Sequence, residues 1–321
     1  MVIIKLAGGL GNQLFQYAYG RRVADCLKLE LKLDAITYLC NEVNGGIYSL
    51  RPFSINAKLA SPLEVSLALY NAKGSRSLIN YFIRKNLRFI YNWFNGTYGY
   101  SLKTLLLFFK IKLNKNSNWI FLSQDSNIIF DDSFPSNVAN IYIDGFWQSE
   151  KYFLPINKMI KSELNIWSLP KKSNATLANE VSYCESVSIH IRRGDLVKIP
   201  ERNQTHGLCS IEYYIKAINY IKANLITPHF FIFSDDAHEL LNDFLEKSEF
   251  TIISNNGSKN AYEDLRLMSK CKHNIIANST LSWWGAWLND NPQKIIIAPD
   301  SWVKLNIPSL KIIIPECWVK I

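Results

Sequence analysis

From Val187 to Ala298 the chain repeats one pattern: a short apolar run, a turn, and a stretch long enough for a helix. The apolar runs at 187–191, 230–234, 251–253, 274–277 and 294–298 read as strands. Helices are predicted over 210–224, 237–247, 261–270 and 281–288. Strands separated by helical crossovers rather than tight turns pair in parallel, so this half is expected to be a doubly wound parallel sheet. The amino-terminal end begins the same way, with a strand at 1–6, a glycine-rich turn at 7–13 (A-G-G-L-G-N-Q), a helix carrying Leu14, Ala18, Val23 and Leu27, and a strand at 29–34. The fold class is therefore α/β. At 321 residues two domains are expected, 1–170 and 171–321, with the change between 165 and 185, where Pro170 and the polar run Lys171–Asn174 fall.

Ligands of such sheets sit outside the carboxyl ends of the strands, and three ends here carry chemistry. Val187–Asp195 (V-S-I-H-I-R-R-G-D) alternates as a strand and then delivers His190, Arg192, Arg193 and Asp195. A guanidinium keeps its proton and presents a planar fork of donors suited to phosphate oxygens. The stretch reads as an anion site for a nucleotide diphosphate; the plainer alternative is a surface Arg–Asp pair. Asp235 and Asp236 end a second strand, where they either read a ribose or base edge or cap the next helix. Asn278, Ser279 and Thr280 end a third and open a tryptophan-rich helix, where hydroxyls and free amides suit a phosphate as well as a cap. Gly9 and Gly11 lie in the first turn, ahead of another helix start at which Asn12 is the expected N-cap. That string is neither a dinucleotide fingerprint nor a Walker loop.

Composition excludes several classes. With 48% hydrophobic residues the chain is not disordered, and no run approaches the roughly 18 apolar residues of a membrane span. Six scattered cysteines without a CxxC pair, and histidines without metal-ligand spacing, suggest reduced thiols in a cytoplasm and no metal. Net charge is +9, and residues 65–124 hold nine basic and no acidic residues, so the remainder is near neutral. This basic aromatic insertion is expected to form a helix with a solvated charged face or to contact an anionic membrane through residues 73–115. Nucleic-acid binding is not expected, since no recognition motif accompanies the charge.

Four strings together carry a family resemblance: Gly8 through Ala18, Gly145 through Phe153, His190 through Asp195, and Asn278 through Trp287. In them the sequence resembles glycosyltransferase family 11, the galactoside α-1,2-fucosyltransferases; the HxRRxD string alone is shared with other fucosyltransferases. The resemblance implies a GT-B architecture, two Rossmann-like domains facing a central cleft. Residues 1–170 would form the acceptor side, with an insertion at about 65–124, and 171–321 would bind GDP-L-fucose. It implies inverting transfer of L-fucose to the 2-hydroxyl of a terminal β-galactoside, with no cofactor and no metal. A bacterial-type cytoplasmic enzyme is implied, peripheral at the inner membrane face and acting on a lipid-linked surface glycan such as an O-antigen. By position, Arg192 would hold the β-phosphate, and His190 with Asp235 and Asp236 the guanosine. Ser279 and Thr280 would add phosphate hydrogen bonds, Gly9, Gly11, Arg193 and Asn278 would complete the donor site, and Asn12 would approach phosphate or fucose. Asp195, Asp144 and Glu150 are all candidates for the base. A fucosyltransferase of other linkage, or a non-catalytic basic module, are the competing readings.

Overall fold

The structure is a computed structural model that describes residues 1–40, 47–73, 119–124, 138–192, 207–234, 248–254, 256–303 and 312–321. The chain opens with β1 (Val2–Lys5), α1 (Leu10–Leu27), β2 (Leu31–Asp34), α2 (Ile36–Cys40), β3 (Lys58–Leu59) and α3 (Pro62–Lys73). It continues through β4 (Trp119–Ser123), β5 (Asn140–Asp144), α4 (Asn157–Glu163) and α5 (Lys172–Tyr183). The second half runs β6 (Glu185–Ile191), α6 (Ile211–Asn224), β7 (Pro228–Ser234), β8 (Phe250–Ile253), α7 (Ala261–Lys270), β9 (His273–Ile275), α8 (Thr280–Leu288), β10 (Ile296–Ala298) and β11 (Val319–Lys320). Of the basic tract at 65–124, residues 65–73 belong to α3 and 119–123 to β4, while residues 74–118, like the helix expected at 237–247, lie outside the described residues. None of the described helices is long and apolar enough to cross a membrane.

Two compact units result. One comprises Met1–Leu6, Gly20–Thr37 and Ala57–Gly145; the other comprises Ala7–Tyr19, Tyr38–Asn56 and Phe146–Ile321. Strands β1 to β5 lie in the first unit and β6 to β11 in the second, and residues 7–19, 38–56 and 146–170 also belong to the second unit.

The first unit holds a parallel sheet in the order β3-β2-β1-β5-β4, with Val2 opposite Leu31 on one side and Ile141 on the other. Ile3 and Tyr142 pack there against Val65, Ala68 and Leu69 of α3. The buried carboxylate of Asp34 is satisfied by the Tyr142 hydroxyl at 2.7 Å and the Ile36 amide at 3.1 Å, which makes its burial affordable.

The second unit holds a parallel sheet in the order β11-β10-β9-β6-β7-β8. Alternation along its strands builds two cores. Val187, Ile189, Ile191, Phe230 and Ile232 meet Tyr213, Tyr214, Ala217 and Ile221 of α6 on one face. On the other face Phe231, Phe233 and Ile253 meet Val181 of α5 and Leu267 and Met268 of α7. Helix α6 is started by Ser210, whose hydroxyl accepts the Tyr213 amide.

Lys171–Asn174, which looks like a linker in sequence, instead opens α5. The reason is packing: Val181 is fully buried in the core, and the buried Asn174 amide donates to Asn256 at 2.9 Å and Glu263 at 3.3 Å. Glu263 is itself buried and paired with Arg266 at 3.2 Å, while Asn256 donates to Asp264 at 2.7 Å. Burial pushes the Asp264 carboxyl up to about 6, with the neighbouring Glu263 charge adding to the shift and the Asn256 hydrogen bond opposing it. Because the folded value lies above the unfolded value of about 3.9, stability is greatest below the latter and falls as pH rises through about 6. The expected result is that Asp264→Asn flattens the melting temperature between pH 4 and 7 relative to the wild type. Parallel curves would show that Asp264 does not titrate in this range.

Candidate active site

In the second sheet the chain moves from β6 outward through β7 to β8, then returns to β9 beside β6 and moves the other way. The order reverses between β6 and β9, and a crevice outside the carboxyl ends of the strands at such a point is where α/β sheets bind ligands. Arg192 follows β6 directly, and Asn278, Ser279 and the start of α8 follow β9. The half-buried Arg192 guanidinium donates to the Asn278 carbonyl in a long 3.4 Å contact, so these two strand ends are joined.

Asn278 is nearly buried, and its side chain is a clamp: the amide donates to the carbonyls of Gly207 at 3.0 Å and Trp302 at 3.3 Å. Ser279 stands at the N-cap of α8, yet its hydroxyl makes no capping hydrogen bond. Its carbonyl instead accepts the Trp283 amide at 3.0 Å and the Ser282 hydroxyl at 3.2 Å. A helix start without a side-chain cap leaves amides and the positive end of the helix dipole for an anion. Cys209 lies beside this place, its thiol 3.7 Å from the Asn278 amide oxygen; burial pushes its pKa up, against the pull of the Arg192 charge, and keeps it a neutral neighbour.

A second helix start abuts the first. A Cβ placed on Gly11 would lie 2.4 Å from the Thr280 carbonyl carbon and 2.6 Å from the Leu281 amide nitrogen. The Trp284 indole donates to the Gly11 carbonyl at 3.0 Å. Beneath them, the Phe15 ring lies 4.5 Å from Trp283 and 4.9 Å from Trp284, and Phe153 stacks on Trp284 at 5.3 Å. The third string joins through Gln148, whose amide donates to Asn12 at 2.8 Å. Trp287 adds a bond from its indole to Glu150 at 3.0 Å.

Arg192, Asn278, Ser279, Thr280, Gly11 and Asn12 are thus brought to one place within the second unit. His190 is half-buried at the end of β6, where its carbonyl accepts the Tyr214 hydroxyl at 3.1 Å. Arg193, Asp195, Asp235 and Asp236 lie outside the described residues. One expectation needs correction. Asn12 is not the N-cap, because α1 begins at Leu10 and puts Asn12 in the first turn, where its oxygen serves Gln148. Gly9 is exposed with open space around its Cα, whereas the turn relies on Gly8, at φ +79°, whose carbonyl is held by Tyr38 at 2.7 Å and Gln13 at 3.1 Å. Of the three carboxylates considered as base, Glu150 is tied to the Trp287 indole and Asp144 to Lys5 at 2.9 Å. Gln148 and Trp284 were not singled out in the sequence; both fall inside recognisable strings, but nothing in one dimension says which chain segment they meet.

Chemically, a fixed guanidinium and two helix starts can hold a diphosphate and take up negative charge that develops on it. The glycosyl transferase family 11 profile matches residues 108–318. The alpha-1,2-colitosyltransferase of Escherichia coli is 32% identical over 327 residues, covering 100% of this chain and 99% of that protein. The O-antigen biosynthesis glycosyltransferase WbnK, also from Escherichia coli, is 32% identical over 314 residues and 94% of both chains. A crystal structure of the NodZ alpha-1,6-fucosyltransferase soaked with GDP-fucose shares the fold, with a TM-score of 0.50 at 14% identity over 92% of this chain and 94% of that one. The two parallel-sheet units are accordingly of the GT-B type that the four strings imply. The profile match and the full-length similarity give one answer, and the chain belongs to glycosyltransferase family 11.

Proposed function

We propose that this glycosyltransferase moves L-fucose from GDP-L-fucose to the 2-hydroxyl of a terminal β-galactoside in a bacterial surface glycan, with inversion and without a metal. The observation that carries the reading is the junction of Arg192 with the starts of α8 and α1. In the reaction the bond from the anomeric carbon to the β-phosphate oxygen breaks and its electron pair leaves on GDP. The acceptor oxygen bonds to that carbon from the opposite face, and its proton passes to a base. The guanidinium and the helix amides would take the charge gained by GDP. Arg193, His190, Asp235 and Asp236 are proposed for the remainder of the nucleotide. Asp195 is the proposed base, since Asp144 and Glu150 are engaged elsewhere.

One observation favours a second donor. A full-length relative is named for colitose, the 3-deoxy form of L-fucose. Both would travel on GDP, and both would use the same diphosphate site. The experiment offers GDP-L-fucose, GDP-colitose and GDP-mannose against a panel of β-galactosides, with the product linkage read by NMR. Transfer of L-fucose to O2 of galactose with an α linkage is the expected result. Exclusive use of GDP-colitose would reassign the donor, and transfer to a different position would overturn the linkage.

A further inference from the structure

We propose that Gln148 is a positioning residue: its amide fixes which way the Asn12 amide faces, so that Asn12 offers its NH2 to the departing diphosphate. The inference rests on the nucleotide-sugar reading above. An asparagine amide has an acceptor end and a donor end. Gln148 Nε2 donates to Asn12 Oδ1 at 2.8 Å, which commits the acceptor end to the protein. Nδ2 makes no hydrogen bond to a described residue and rests against the backbone of Gly8, where a Cβ would come within 2.4 Å of it. Gly8 has φ +79°, so the turn conformation and the space for the Asn12 amide both require glycine there. Asn12 follows Gly11 in the first turn of α1, next to the start of α8.

Gln148 is itself held from both sides. Trp147 adopts φ +54°, a conformation that a bulky side chain rarely takes. It is fully buried, stacked on Tyr19 at 4.0 Å and edge-on to Tyr152 at 5.3 Å. Ser149 is also fully buried and donates its hydroxyl to the Ile312 carbonyl at 2.8 Å. Such a backbone persists only where its surroundings over-determine it, and here that leaves Gln148 one direction. Segments far apart in sequence therefore meet in a single amide pair whose polarity decides what the ligand sees.

The decisive variant is Gln148→Glu. When ionised, its carboxylate cannot donate, so the Asn12 amide must turn its NH2 toward residue 148 and present oxygen to the phosphate. On acidification the protonated carboxyl donates as glutamine did. The expected result is a kcat on the order of tenfold below wild type at pH 8, with little change in donor KM. The loss should recover as pH falls through the pKa of the introduced carboxyl, a limb that the wild type and Gln148→Leu lack. Gln148→Leu should lower kcat by a similar factor with an unchanged melting temperature, and should add no further loss in an Asn12→Ala background. A Gln148→Glu variant as active as wild type at pH 8 would overturn the proposal, because Asn12 would then be donating to residue 148 already. Multiplying losses in the double variant would also overturn it. If Gln148→Leu does not fold, the Gln148→Glu pH profile alone decides. Wild-type turnover of a GDP-sugar is measured first; its absence defeats the proposed function, whereas its presence with an insensitive Gln148→Glu defeats only this inference.

Discussion

Replacing Arg192 with alanine is expected to lower kcat by on the order of hundredfold or more, with the fold retained. Val187, Ile189 and Ile191 supply the core of β6, while Arg192 is half-buried past its end, where its guanidinium makes a long 3.4 Å contact to the Asn278 carbonyl. Truncation therefore removes charge and donors rather than packing. The loss should fall on kcat more than on donor KM, because the leaving diphosphate gains charge as the glycosidic bond breaks. Arg192→Lys should recover only part of the activity, since an ammonium keeps the charge without the planar fork. Turnover by GDP release and a melting curve on the same preparation test both parts. Normal turnover of a folded Arg192→Ala protein would remove this residue from the reaction.

Gly11→Ala is expected to have the second largest effect, and it should act on both stability and activity. The added methyl would lie 2.4 Å from the Thr280 carbonyl carbon and 2.6 Å from the Leu281 amide nitrogen, which are backbone atoms at the start of α8. Backbone cannot yield as a flexible side chain does, so one helix start must move away from the other. Trp284 would resist that movement through its 3.0 Å bond to the Gly11 carbonyl and its contacts with Phe15 and Phe153. Overpacking of this kind costs about 1–3 kcal/mol. The melting temperature should fall, and the surviving folded protein should bind GDP poorly because the two sets of amides no longer converge. Gly9→Ala is the control, since its added methyl meets nothing within 4 Å. Equal effects at the two glycines would contradict the packing described for Gly11.

The sequence and the structure agree where local pattern controls the outcome. Strands β6 to β10 and helices α6, α7 and α8 fall within a few residues of their predicted places, because period-2 and helical repeats bury one face each. Arg192 and Ser279 were legible as a candidate site because both follow strands, and the strand-end rule needs no knowledge of tertiary contacts. The exceptions share a cause. Asn12 looks like a cap in sequence, but α1 starts at Leu10, and helix boundaries shift by a turn without leaving a trace in composition. Lys171–Asn174 looks like a linker because its first residues are polar, although Asn174 is buried by partners more than eighty residues away. Gly11 and Gln148 derive their roles from Thr280 and Asn12, and no local signal in the chain encodes a contact across that separation. Resemblance marked the strings; geometry gave each residue its partner.

A calorimetric titration of GDP into the metal-free protein in EDTA, repeated with Arg192→Ala, probes the diphosphate site itself. Saturable binding to one site is expected in the wild type, with a severe loss of affinity for free GDP in the folded variant, because GDP already carries the charge that the donor gains only as its bond breaks. A folded wild-type protein that does not bind GDP, or a variant that binds it equally well, would contradict a diphosphate site built from Arg192 and the two helix starts.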